Sequence, residues 1–329
     1  MRIGSNPNHH KAIDVAMKSH RVIIPVYIPN AEGYFADAFN VFQVCMESLL
    51  QTVNADTAIS IISNGSSDEV NAYIFKLWED KKIDRAVFNK DNIGKMNAII
   101  TETRASFEEF ITYSDADVFF DKGWLKQTFS MFRQVKKAGF VSMNPTPLHY
   151  SSADSTLLGN LFSVFNKQKT NTICTYDDLL HFHKSIGKDQ SHTDRLYNSE
   201  IVCVGKNEKY IVGAGHFCCT IRKTPTLKFI PKVYSNISVS GGSETVYLDT
   251  PFDKTGLWRL SSPKAYVWHM GNILEKEWAD EKLQAMDNFR EDDFRFSSLP
   301  FRNNTLSSKL VPYVLKNKVV ALLKKIKII

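Results

Sequence analysis

The stretch Phe110-Ile111-Thr112-Tyr113-Ser114-Asp115-Ala116-Asp117-Val118-Phe119-Phe120 decides the reading of this chain. It is an apolar, β-favouring run from which two carboxylates emerge. Residues i and i+2 of a strand share one side, so Asp115 and Asp117 can face one hard cation. Two charges at the end of an apolar strand are costly without compensation. A divalent cation carrying a nucleotide pyrophosphate would supply it. One Asp-x-Asp arises by chance in a chain of this length, so the flanking sequence has to carry the assignment.

Upstream, Arg21 to Ile28 and Ala58 to Ser63 read as buried strands, and Arg85 to Asn89 as a shorter one. Between them, Phe35 to Leu50 and Glu69 to Trp78 carry apolar residues at helical spacing. Asp91 to Lys95 turns into a third helix ending near Thr103, and Glu109 to Ser114 is the fourth strand. Four strand–helix alternations predict a Rossmann-like, mainly parallel sheet flanked by helices. Ligands in such sheets sit at the carboxyl ends of the strands, where the turns rich in Gly, Asn and Asp fall. Downstream, Gly123 to Val135 reads as a helix and Gly139 to Asn144 as a strand. Residues from Tyr150 to Tyr210 read as irregular, with a helix over Asn160 to Lys169. Ile211 to Arg222 reads as one strand, Glu244 to Thr255 as a helix, Leu257 to Leu260 and Ala265 to His269 as strands, and Leu274 to Asn288 as a helix.

Six features in order resemble a family 2-type glycosyltransferase with the GT-A fold. They are Pro25-Val26-Tyr27 closing the first strand and Ser63-Asn64-Gly65-Ser66-Ser67-Asp68 after the second. Asn92-Ile93-Gly94-Lys95 and the Asp115/Asp117 pair follow. Next come Gly213-Ala214-Gly215 and the segment from Glu244 to Gly256, then a strand ending in His269. The resemblance covers residues 20–275. It implies an α/β, nucleotide-sugar-dependent transferase using Mn2+ or Mg2+. The implied donor site is Pro25, Val26, Tyr27, Asn64, Asn92, Lys95, Ser114, Asp115, Ala116 and Asp117. Asp115, Asp117 and His269 are the implied metal ligands, Asp117 the most direct and Asp115 either ligating or bonding the ribose. Gly213, Ala214 and Gly215 lie on the implied acceptor side. The chain departs from the family pattern at Ser63 and Asn64, where an acid often holds the base, and at Thr245, where a second acid is common. Asn64 can still hydrogen-bond a base edge but carries no charge.

The chemistry that follows is direct displacement with inversion. Glu244 is the candidate general base for the acceptor hydroxyl. Asp249 and Asp253 are nearby acids, and Asp249, five residues on, reads as solvated and off the Glu244 face. Trp124 reads either as a platform for an acceptor sugar or as a partly buried residue at a helix start. Lys95 reads as a phosphate or base partner, or as a solvated lysine. His181, His183, His9 and His10 lack the partners of a second metal site. A nucleotidyltransferase shares the sheet and the metal logic, but the Gly-rich, Arg-bearing loop it needs is absent between Tyr27 and Phe35. A non-catalytic carbohydrate- or membrane-binding relative is a second alternative, raised by Thr245.

At 329 residues, with 43% hydrophobic and 23% charged, the chain can bury a sizeable core. The organisation expected is a catalytic domain over residues 1–293 and a tail over 294–329. The domain divides into a nucleotide-sugar half (20–120) and an acceptor half (121–290). Five cysteines without a Cys-x-x-Cys spacing argue for reduced thiols in a cytosolic protein. Residues 1–11 have no apolar signal-peptide core. The net charge of +6 is concentrated in the tail, which holds eight Lys or Arg and no acid from Phe294 onward. There Leu310, Val311, Val314, Leu315, Val319, Leu322, Leu323 and Ile326 recur at helical spacing among lysines. This pattern predicts either a basic amphipathic helix on a membrane surface or a helix docked on the domain. Partners expected are a nucleotide sugar, a saccharide or lipid-linked saccharide in surface polysaccharide synthesis, and the inner face of the cell membrane; no nucleic acid is expected.

Overall fold

The computed structural model describes residues 3–5, 9, 17–147, 154–160, 166–205, 208–237, 242–299 and 313–325. Its first half follows the sequence closely. Strand β1 (His20–Val26) leads through helix α1 (Ala38–Thr52) to β2 (Thr57–Asn64), and α2 (Asp68–Glu79) leads to β3 (Arg85–Asn89). Helix α3 (Lys95–Ala105) then delivers the chain to β4 (Phe110–Ser114). These four strands pair in parallel, in the order β3, β2, β1, β4. Every residue of β2 and β4 is buried. Helices cover both faces, so β1, β2 and β4 carry apolar residues on both sides, whereas the edge strand β3 is only half-buried. Pro25 has no N–H to give, yet it fits in β1. The pairing of β1 with β4 ends at Ile23, so Pro25 interrupts no bond there.

Beyond β4 the pairing is mixed. A short strand β5 (Val118–Phe120) follows the Asp pair, then helix α4 (Trp124–Gln134) and β6 (Ala138–Ser142). The stretch read as irregular is largely ordered. It holds a helix α5 (Asp154–Asn160), strand β7 (Asn166–Lys169), helices α6 (Tyr176–Ser185) and α7 (Gln190–Tyr197), and strand β8 (Glu200–Val204). The helix expected over 160–169 is thus corrected at its end, where β7 pairs antiparallel with β8; residues 161–165 lie outside the described ones. The single strand expected from Ile211 to Arg222 is two strands, β9 (Tyr210–Val212) and β10 (Cys218–Arg222). Strand β10 lies antiparallel between β4 and β6. Strand β11 (Trp258–Ser261) sits between β6 and β9. The large sheet thus has ten strands among the described residues.

A second, two-stranded sheet matters more for function. Strand β12 (Val267–His269) pairs with β5, His269 opposite Val118. The Met270 amide then donates to the Asp117 carbonyl at 2.8 Å. This pairing brings the end of β12 against the Asp pair from a sequence distance of about 150 residues, which short-range pattern reading cannot see. All five cysteines are free and buried. In the tail, a helix spans Tyr313–Lys325, and Val320 is buried in the main core with Leu157 of α5. Leu315, Val319 and Leu322 on the same helix are exposed. Residues 300–312 and 326–329, which include Leu310, Val311 and Ile326, lie outside the described ones.

Candidate active site

A cleft of about 820 Å3 opens at the carboxyl ends of the parallel strands. Pro25, Val26 and Tyr27 leave β1 along one wall, Asn64 ends β2, Asn92 and Lys95 enter from the start of α3, and Asp115, Ala116 and Asp117 leave β4. Nine of the ten residues assigned to the donor therefore line one cavity. Ser114 does not. It is buried behind the wall, and its hydroxyl donates to the Asp115 carbonyl at 2.9 Å.

The turns at the rim are braced against each other. Gly65 takes φ +85°, and a Cβ there would meet the Asn92 amide nitrogen at 2.8 Å. Only glycine permits this approach. The Asn64 side chain spans the gap, donating to Asn92 Oδ1 at 2.8 Å and accepting from Asn89 and from the Ile93 amide, each at 3.1 Å. Its carboxamide oxygen is thereby occupied in shaping the wall, which qualifies the expectation that Asn64 reads a base edge.

Lys95, Asp115 and Asp117 line the cleft, whereas Glu244 and His269 do not and reach it only through these three. Lys95 Nζ lies 2.5 Å from Asp115 Oδ1 and 3.9 Å from Glu244 Oε1. Burial works against the Lys95 ammonium, but Asp115, then Glu244 and Asp117, more than offset it and hold its pKa above the ordinary value. His269 Nε2 is 3.4 Å from Asp117 Oδ2, and its Nδ1 is 3.0 Å from Ser185 Oγ. Burial pushes the Asp117 carboxyl above its usual range, the Asp115 charge adds to that, and His269 opposes it. Asp117 Oδ1 is shielded from solvent and has no hydrogen-bond partner among the described residues. A shielded, unpaired carboxylate oxygen beside a second acid is a place where a cation lowers the energy. Among the described residues, no group of three His, Cys, Asp or Glu is close enough to form a ready-made metal cage. Asp115 is drawn toward Lys95 instead.

Three expectations about the acceptor side change. Trp124 is wholly buried, packs 4.9 Å from the Phe120 ring, and donates its indole N–H to Thr52 Oγ1 at 3.0 Å. It is a core residue with no face left for a sugar. Gly213, Ala214 and Gly215 are likewise buried. The Gly215 amide donates to Ser142 Oγ, and the Gly213 amide to the Arg259 carbonyl. They back the site rather than line it. Asp249 is not solvated. It is buried, with His216 Nε2 and Arg259 Nη2 each 2.6 Å from its Oδ1. The cause is local. Residues Thr245–Asp249 form a π turn followed by a short α-helix, Thr250–Lys254. In an α-helix, positions five apart lie about 140° apart around the axis. The wider turn closed by i to i+5 bonds brings them closer to one face.

Sequence reasoning missed part of the cleft. Tyr34 and Phe35 add aromatic lining beside Tyr27, whose ring meets Phe35 edge-on at 5.6 Å. Ser235, Asn236 and Ile237 close another side. Asn97 holds that segment by donating to the Ser235 carbonyl at 2.9 Å and accepting from its amide at 2.7 Å. No local signal marks a contact across 138 positions.

Residues 22–198 match the model of glycosyl transferase family 2. That is more than half of the chain. The chain belongs to glycosyl transferase family 2. The matched segment of this family 2 chain contains the cleft residues from Pro25 to Asp117, while Ser235–Ile237, Glu244 and His269 lie outside it. No curated protein sequence matches the chain. Solved structures that resemble it include a mannosyltransferase from Pyrobaculum calidifontis with GDP-Man and Mn2+ (13% identity, 78% of this chain, 59% of that one, TM-score 0.43). TarS residues 1–349 from S. aureus with UDP is another (15% identity, 83% and 71%, TM-score 0.42). GalNAc-T7 with UDP, GalNAc and Mn2+ is a third (13% identity, 78% and 44%, TM-score 0.44). The family 2 chain thus spans less than two thirds of the first and third of these.

Proposed function

We propose that this protein is an inverting glycosyltransferase that moves a sugar from a nucleotide-diphosphate donor to a saccharide acceptor, with a divalent cation. The observation that carries the reading is the meeting of Lys95, Asp115 and Asp117 in a cleft built from strand carboxyl ends, with Glu244 3.9 Å from Lys95 and His269 3.4 Å from Asp117 just behind its wall. Tyr27, Tyr34 and Phe35 form the apolar lining suited to a base. Lys95 stands at the N-terminus of α3, where backbone N–H groups and a cation favour phosphate.

The residues fit a cation of the Mn2+ or Mg2+ class. Asp117 offers a shielded oxygen without a partner, Asp115 a second carboxylate, and His269 an imidazole that manganese tolerates. When bound, such an ion offsets the charge growing on the departing diphosphate. Lys95 exchanges Asp115 for a phosphate oxygen as the donor enters, which frees that acid. Glu244 then accepts the proton of the attacking hydroxyl. Attack opposite the nucleotide inverts the anomeric centre.

A thermal-shift screen of UDP, GDP, CDP and dTDP with Mn2+ tests the reading. One diphosphate should raise the melting temperature by roughly 3–6 °C near saturation, and clearly less without metal. A flat response to all four would contradict it.

The acceptor reading extends to a lipid-linked saccharide in surface polysaccharide synthesis, reached by the tail helix at a membrane surface. No helix among the described residues is long and apolar enough to cross a membrane. Exposed Leu315, Val319 and Leu322, with exposed Lys318 and Lys325, support interfacial contact instead. Because Val320 is seated in the core, truncation would disturb the domain. Reversing Lys318 and Lys325 to Glu is the cleaner test. Co-sedimentation with vesicles containing phosphatidylglycerol should drop by more than about tenfold, since two basic charges worth about 1 kcal/mol each are lost. Unchanged sedimentation would remove the membrane role.

A further inference from the structure

A second cavity, of about 350 Å3, lies on the far side of the His269 loop and shares Gly271 and Asn272 with the donor cleft. We infer that this cavity is a subsite for a neutral saccharide unit of the acceptor. The inference rests on the reading of the first cleft as the donor site.

The wall between the two cavities is thin. Gly271 has φ +75°, and a Cβ there would stand 3.1 Å from the Ser185 carbonyl oxygen. Asn272 is tied to the donor side through the Tyr34 carbonyl at 3.0 Å. His269 itself joins the two spaces, with Nε2 toward Asp117 and Nδ1 toward Ser185, a residue of the second cavity. A sugar held there lies next to the groups that would activate the donor.

The lining matches a polyhydroxylated ring. His181 and Trp278 stack at 4.9 Å with an interplanar angle of 29°, giving an aromatic surface. Around it stand Asp177, Lys184, Ser185 and Glu275. Two acids and one base carry no single-sign field, so the cavity does not select a phosphate or a strongly charged ligand. Mixed donors and acceptors beside an aromatic plane suit hydroxyl groups around an apolar ring face. His181 Nε2 is shielded from solvent and has no hydrogen-bond partner among the described residues. A small turn of the ring toward the cavity would present this nitrogen to a sugar hydroxyl, which can donate to it or accept from it. The volume is at the lower end for ligand sites and suits roughly one or two sugar rings.

Saturation-transfer NMR on the full chain tests this, with methyl β-glucoside, methyl β-galactoside, methyl α-mannoside and methyl N-acetyl-β-glucosaminide as probes. At least one should bind wild type. His181→Phe should weaken that binding at least fivefold, and Glu275→Gln, at the exposed rim, at least twofold. Both variants should keep the wild-type melting shift with nucleoside diphosphate and Mn2+. If His181→Phe loses that shift, its fold is compromised and Glu275→Gln decides. Absence of binding by all four glycosides, or wild-type binding in the deciding variant, would overturn the subsite. Glycoside binding without any nucleotide response would instead retain the subsite and remove the donor reading.

Discussion

Asp117→Ala should abolish transfer by about a thousandfold while leaving the protein folded. The factor corresponds to about 4 kcal/mol at 1.36 kcal/mol per tenfold, the scale of charge stabilisation by a cation at a phosphoryl oxygen. The stability side distinguishes a cation-binding acid from a structural one. Asp117 is held with one oxygen shielded and unpaired, and burial raises its pKa. Removing such a group relieves an energetic cost, so the metal-free melting temperature should stay level or rise. The melting shift with nucleotide and Mn2+ should vanish. A variant that melts well below wild type, or one that keeps the shift, would show that Asp117 serves the fold or that the ion sits elsewhere.

Glu244→Gln should lower kcat by about 10²–10⁴, the range of a positioned general base, with the donor-induced melting shift retained. The substitution keeps the side-chain shape and the hydrogen-bond capacity toward Ser243, whose hydroxyl lies 3.0 Å from Glu244 Oε2. Asp249→Asn provides the contrast. Its carboxylate holds buried Arg259 and His216, so its loss leaves a buried cation short of its partner and costs about 3–5 kcal/mol of stability. Equal loss of turnover in both variants with equal melting behaviour would dissolve the distinction. Full activity in Glu244→Gln would move the base elsewhere on the acceptor side.

The first half of the fold was legible because β1, β2 and β4 are buried on both faces and the turns carry Gly, Asn and Asp at the rim. Arg85–Asn89 matches the expected strand end to end, and the other three parallel strands agree to within one or two residues. The second half was harder to read. Helices α6 and α7 are short and polar, each capped by a side chain, Thr175 or Asp189. Their stability comes from docking, not from a strong apolar period. The run from Ile211 to Arg222 is mostly apolar, but Gly213 at φ +112° breaks it, and the chain re-enters the sheet beside β4.

The cleft wall from Pro25 to Asp117 was readable for the same reason as the strands: each turn sits where a parallel strand ends. Trp124 shows the limit. A tryptophan after a glycine is equally compatible with a platform and with a core, and only its burial against Phe120 and its bond to Thr52 decide. Asp249 failed through an assumed period of 3.6, which the π turn breaks. Ser235–Ile237 and the second cavity depend on contacts far apart in sequence, made by Asn97 and by the β5–β12 pair.

A crystal of the full chain grown with Mn2+ and the diphosphate that gives the largest melting shift would locate the cation. Anomalous scattering should place one manganese about 2.0–2.3 Å from an Asp117 oxygen, the distance expected for direct coordination by a hard donor, with the nucleotide in the cleft beside Lys95. Manganese elsewhere, with Asp117 and His269 still paired to each other, would contradict the account.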